Sequence, residues 1–182
     1  MGGQTSGTAP AKNVGATVWI PTVNEWFKAA YYDPNKGGVG VGGYWLHANQ
    51  SDSMTSNDFT VAGAANYYDG NYAKDENSLP TYLTDAGAYG ADSQNYYRIN
   101  DMAGNVYEWN DLTGSSDLIR GIGGGAWGQS ELSLRSSASA QNYEDPSNEN
   151  IYYGFRVASV PEPSALVLTV LFSAACVTRR KR

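Results

Sequence analysis

Residues 48–95 set the first constraint on what this chain can fold into. Asn, Asp, Ser, Gly and Tyr dominate the stretch, and no hydrophobic period of 2 or 3.6 persists through it. A helical bundle or a β-sandwich needs such a period to bury one face of every element, so neither describes the whole chain. So long an irregular stretch must be organised by something other than a regular ladder, and bound ions are one way to do it. The chain carries 14 Tyr and 21 Gly among 182 residues. That supplies aromatics to pack a loop-rich core and glycines to turn it. The expectation is a loop-rich globular domain whose aromatics do much of the packing.

The net charge of −6 hides an asymmetry: Arg179, Arg180, Lys181 and Arg182 are 4 of the 12 basic residues, and residues 1–160 carry 8 basic against 17 acidic, a net −9. Such a body repels nucleic acid and anionic membrane surfaces, so no nucleic-acid partner is expected, and its carboxylates are available to a hard cation. The only cysteine, Cys176, lies in the apolar tail, which rules out an intrachain disulfide or a cysteine-based metal site. One histidine, His47, supports no zinc or triad constellation and reads as structural.

The tail has three parts in order. Pro161 and Pro163, around Glu162, end any preceding element. Residues 165–178 form a 14-residue apolar run, about 21 Å as a helix at ~1.5 Å per residue. Four cations follow and would hold the end at the cytoplasmic face. This succession over residues 160–182 resembles a PEP-CTERM sorting signal. The resemblance implies a bacterial envelope protein held in the membrane by a C-terminal hydrophobic helix, then processed by an exosortase-type enzyme and often associated with exopolysaccharide. Residues 1–15 are polar and lack the apolar core of an export leader. The reading frame is therefore expected to extend upstream, with residues 1–18 a truncated or disordered lead-in to a domain over 19–159.

Within that domain Thr22 and Glu25 form a capping box for a helix that carries Trp26, Ala29 and Ala30 on one face and stops at Asp33-Pro34. Residues 35–43 form a glycine-rich loop, and Tyr44–Leu46 a short strand. Residues 101–110 read Asp-Met-Ala-Gly-Asn-Val-Tyr-Glu-Trp-Asn. Asp101 and Glu108 flank a turn at Gly104, so two carboxylates and inward-turned carbonyls could meet a calcium ion, with Trp109 as a buried anchor. Solvated carboxylates in a turn before a strand would give the same spacing. Strands are expected from Ile119, again around Leu132–Arg135, and over residues 153–158, where Phe155 and Val157 share a face.

Five segments in order resemble the formylglycine-generating, sulfatase-modifying factor family: residues 20–26, 104–109, 124–127, 134–137 and 154–158. The resemblance implies a variant of the C-type lectin-like fold, α+β with little regular secondary structure. It also implies a calcium site with Asp101, Gly104, Val106 and Glu108 as ligands, through two side chains and two carbonyls. A second calcium site would involve Asn66 and the Tyr67 carbonyl. Active members oxidise a sulfatase cysteine with two cysteines that bind copper. Here the segment after Trp127 that would carry them reads Gly-Gln-Ser-Glu-Leu-Ser-Leu, and the expected later arginine is Ser139. Without a thiolate no copper site is expected. The function expected is a non-catalytic, calcium-stabilised surface module binding glycan or protein in the extracellular matrix through exposed tyrosines among Tyr31, Tyr32, Tyr67, Tyr68, Tyr96 and Tyr97. The alternatives are a copper-dependent oxidase and a remnant without activity.

Overall fold

A computed structural model describes residues 12–73, 82–113, 119–139 and 142–159. The expected sorting residues, the helix over 165–178 and the terminal cations lie outside these. Among the described residues no helix is long and apolar enough to cross a membrane.

The chain opens with β1 (Val18–Trp19) and α1 (Val23–Tyr31). The capping box forms as expected: Glu25 N donates to Thr22 Oγ1 at 3.2 Å, and Thr22 N donates to a Glu25 carboxylate oxygen at 2.9 Å. α1 ends two residues earlier than the proline demanded. Tyr32 leaves the helix extended, because Tyr32–Asp33 (β2) pairs antiparallel with Gly43–Tyr44 (β3). Asp33 then holds the glycine-rich excursion at both ends, accepting from Asn35 N at 2.7 Å and from the Trp45 indole at 3.1 Å.

Among the described residues from 45 to 73 and from 82 to 106 the chain is nearly all turns and bends, broken by one short 3-10 turn over Ala91–Ser93. Regular structure resumes with β4 (Tyr107–Thr113) and β5 (Arg120–Gly123), then a 3-10 turn over Glu131–Leu134, α2 (Ser136–Ser139), β6 (Tyr143–Glu144), β7 (Tyr153–Gly154) and β8 (Ala158–Ser159). Four strands make one sheet in the order β6-β5-β4-β7. Its only parallel pair is β4 with β7. β8 instead pairs antiparallel with β1 at the other end of the chain.

α1 lies on the sheet through Trp26 and Tyr31, both 1% exposed, in a core completed by Ala30, Ala48, Ala65, Tyr67, Met102 and Leu134. The close fit needs Gly123 on β5: a Cβ there would stand 2.8 Å from the Trp26 ring. Two strand expectations fail. Where a strand was expected around Leu132–Arg135, Glu131–Leu134 is a 3-10 turn, with Leu134 buried and Leu132 58% exposed. The last segment breaks at residues 155–157 between β7 and β8. Phe155 and Val157 are 67% and 55% exposed instead of sharing a core face, because the chain there leaves one sheet to reach another.

Candidate functional site

The loop from Asp101 to Val106 is built from residues in the left-handed region: Asp101 at φ 57°, Gly104 at φ 76° and Asn105 at φ 63°. Gly104 is needed for space as well as angle. It bridges Asn66 in parallel, and a Cβ on it would meet the Asn66 carbonyl oxygen at 2.1 Å. Its N–H donates to Gly124 O at 2.7 Å, and Asn105 N donates to Asn66 O at 2.8 Å. The loop is thereby tied to the end of β5 and to the irregular segment.

Strand alternation then decides which way β4 points. Glu108 and Asn110 face inward, 5% and 3% exposed, while Trp109 is only half-buried and packs tilted against Tyr153 at 5.3 Å. The expected anchor and the expected ligand have exchanged places: the carboxylate is the buried group. Its charge is compensated on both oxygens. Trp26 Nε1 donates to Oε2 at 2.7 Å, and Arg156 closes on both oxygens through Nε and its NH2 nitrogen. The same NH2 nitrogen reaches the carbonyls of Asn100 and Asp101 at 3.3 Å. Arg156 is therefore the resident cation of this loop, a role that the sequence reading did not assign to it.

Asp101, Val106, Glu108 and Arg156 border one cavity of about 410 Å³, with Ile99 and Phe155 on its apolar side. Of the four expected calcium ligands, three thus line a common space, and Gly104 holds the turn behind them. The donors fit a hard cation unevenly. The Asp101 carboxylate accepts one hydrogen bond, from Gly87 N at 2.6 Å, and burial raises its pKa against the pull of that bond and of Arg156. It has lone pairs to give. Three of the roughly four acceptor positions of Glu108 are taken, so it can reach an ion only through the remaining one on Oε1 or by yielding a bond of Arg156. Among the described residues no three of His, Cys, Asp and Glu gather as a metal cluster. A cation here would rest on carbonyls as much as on carboxylates. At the second expected site, Asn66 Oδ1 is buried without a partner, while the Tyr67 carbonyl already accepts from Asn57 Nδ2 at 3.0 Å.

Trp127 N donates to Asn105 O at 3.0 Å and so hangs a second feature on this loop. The indole lies stacked on Tyr152 at 4.8 Å, with Tyr82 at 5.4 Å and Tyr72 at 5.5 Å, and Tyr68 packs on Tyr72 at 5.0 Å. Of the expected tyrosine pairs, Tyr31 and Tyr67 are core residues and Tyr32 is half-buried; Tyr68, Tyr96 and Tyr97 are exposed. Sequence proximity paired Tyr67 with Tyr68, whereas the fold pairs Tyr68 with Tyr72, which in turn meets Trp127. Beyond Trp127, where thiolates were not expected, Glu131 is gripped by Arg135 at 3.0 and 2.9 Å and lies 2.7 Å from the buried His47.

Residues 7–160 match the model of the sulfatase-modifying factor enzyme 1-like domain. The chain belongs to this family. The solved structure of CarF agrees on the fold. CarF shares 21% identity at a TM-score of 0.53, with 82% of this chain and 51% of that chain covered. Treponema denticola variable protein 1 shares 23% identity (TM-score 0.49, 79% and 48% covered), and PvdO from Pseudomonas aeruginosa 20% (TM-score 0.49, 78% and 52% covered). The family domain here therefore spans about half the length of these structures. A search of curated proteins found no match.

Proposed function

We propose that this member of the sulfatase-modifying factor family is an exported, surface-sorted module that has lost the oxidation chemistry and acts by binding, with calcium at the Asp101–Glu108 loop as a structural ion. The observation that carries this reading is the segment from Trp127 to Leu134. Where the family resemblance puts two thiolates, this chain has Gly128, Gln129, Ser130, Glu131, Leu132 and Ser133, and Glu131 is committed to Arg135. A carboxylate held by a guanidinium offers no soft ligand for Cu(I) and no sulfur to oxidise. The scaffold around it keeps its packing. The Gly104 bend, the Trp26–Glu108 bond and the stacked rings at Trp127 are features of a domain that holds a surface in place.

The test is chemical. Purified chain is given Cu(I), oxygen and a cysteine-containing sulfatase peptide, and the peptide is examined by mass spectrometry. No formylglycine is expected; copper-dependent turnover would overturn the reading.

A further inference from the structure

We infer that the ring cluster around Trp127 is a carbohydrate-binding surface for an uncharged sugar, the inference resting on the non-catalytic binding role proposed above. Three structural tyrosines of this fold use their hydroxyls. Tyr31 bonds Ser139 Oγ at 2.7 Å, Tyr89 donates to Asn57 O at 2.8 Å and Tyr153 donates to Glu144 at 2.9 Å. The tyrosines at Trp127 differ: the hydroxyls of Tyr68, Tyr72, Tyr82 and Tyr152 make no hydrogen bond to the described residues. Tyr68 and Tyr72 are 40% and 39% exposed, although they pack on rings that lead inward to Trp127, which is 6% exposed. The Trp127 indole N–H is buried with no acceptor among the described residues. Apolar faces and unused hydroxyls thus stand side by side on one surface.

A pyranose ring has the matching chemistry. Its axial C–H face lies on an aromatic ring, and its hydroxyls around the rim exchange hydrogen bonds with phenol groups. A proline-rich peptide also docks on aromatic grooves, but it relies on an accessible indole donor to reach its carbonyls. With the Trp127 N–H enclosed, the accessible surface offers ring faces first, which favours the sugar. The acidic body of residues 1–160, net −9, disfavours sulfated or uronic polymers and points to a neutral glycan.

Affinity electrophoresis of the full chain through gels containing dextran, hydroxyethyl cellulose or a soluble mannan tests this. Retardation is expected in at least one gel, with little dependence on salt. Tyr68→Ala and Tyr72→Ala, each exposed enough to leave the fold intact as checked by melting, should weaken it by roughly tenfold, the size of one stacked ring. Tyr97→Ala, in the separate exposed pair with Tyr96, should leave it unchanged. Retardation in none of the gels overturns the inference. So does equal loss in the Tyr97 variant, or binding of a proline-rich peptide at Tyr72 without polysaccharide binding. None of these outcomes produces formylglycine, so failure here is distinguishable from failure of the non-catalytic assignment.

Discussion

The indole of Trp26 and the carboxylate of Glu108, 82 residues apart in sequence, meet at 2.7 Å inside the core and join α1 to β4. Arg156 supplies the opposing charge from the far end of the domain. A buried carboxylate of this kind is stable only while its partners are present.

Arg156→Met should therefore cost about 3–5 kcal/mol of unfolding free energy, towards the lower figure because Arg156 keeps 26% of its side chain in solvent. Pairing it with Glu108→Gln should recover much of that loss, since the uncompensated charge goes with it. Chemical denaturation of the two single variants and the double variant measures the coupling. Additive effects would show that the pair is not a unit.

Calcium should raise the melting temperature. An ion at 100 times its dissociation constant adds about 2.7 kcal/mol, or about 5–10 °C for a chain of this size. Asp101→Asn and Glu108→Ala should remove the increment. Asp111→Ala should lower the starting stability, because Asp111 accepts the Val23 N–H at the start of α1 at 2.6 Å, yet keep the calcium increment. Equal increments in wild type and Glu108→Ala would remove calcium from this loop.

Acid should destabilise the fold through His47. Burial is the largest influence on its pKa and lowers it, outweighing the upward pull of Glu131. The unfolded chain, with an imidazole near its ordinary value of about 6.5, then takes up the proton before the folded chain does. Stability is full above about pH 6.5 and drains as pH falls towards the folded value. Glu131, held below its ordinary value first by its bond to Arg135, loses its contribution in the same direction further into acid. Arg135 and Asp52 are the other charges that act on His47 and its neighbourhood. Denaturation at pH 7.5 and 5.5 should show the loss in wild type and a shallower slope in His47→Gln; identical slopes would exclude His47 as the cause.

A reporter carrying an export leader and residues 158–182 should reach the envelope and be trimmed near Pro161-Glu162-Pro163. Neutral replacements of Arg179–Arg182 should impair retention. Secretion of the intact, untrimmed fusion would count against a sorting tail.

What the sequence disclosed was mostly local. The capping box of α1 needs only Thr22 and Glu25, three residues apart, and it forms with both bonds. The Gly104 turn is likewise a matter of neighbours. The sequence marks Trp109 as the anchor because it stands next to an expected ligand. The register of β4 against Gly123 and Ile122 turned Glu108 inward instead, and that register depends on residues not adjacent in sequence. Arg156 gives no local signal of pairing with a carboxylate 48 positions earlier. The Trp127 cluster draws rings from residues 68, 72, 82 and 152, which no periodicity could have grouped.

The pairing of β1 with β8 has a mechanical side. Val18 sits opposite Ser159 and Trp19 opposite Ala158, two rungs in all. In this antiparallel arrangement the chain leaves both strands from the same end of the ladder. Tension between a tethered segment beyond Ser159 and anything attached before Val18 would open the clasp like a zipper, the Val18–Ser159 rung first. Force would be spent on these two rungs before it reached Trp26 and the sheet, so the domain's outer edge yields while the rings around Trp127 stay folded.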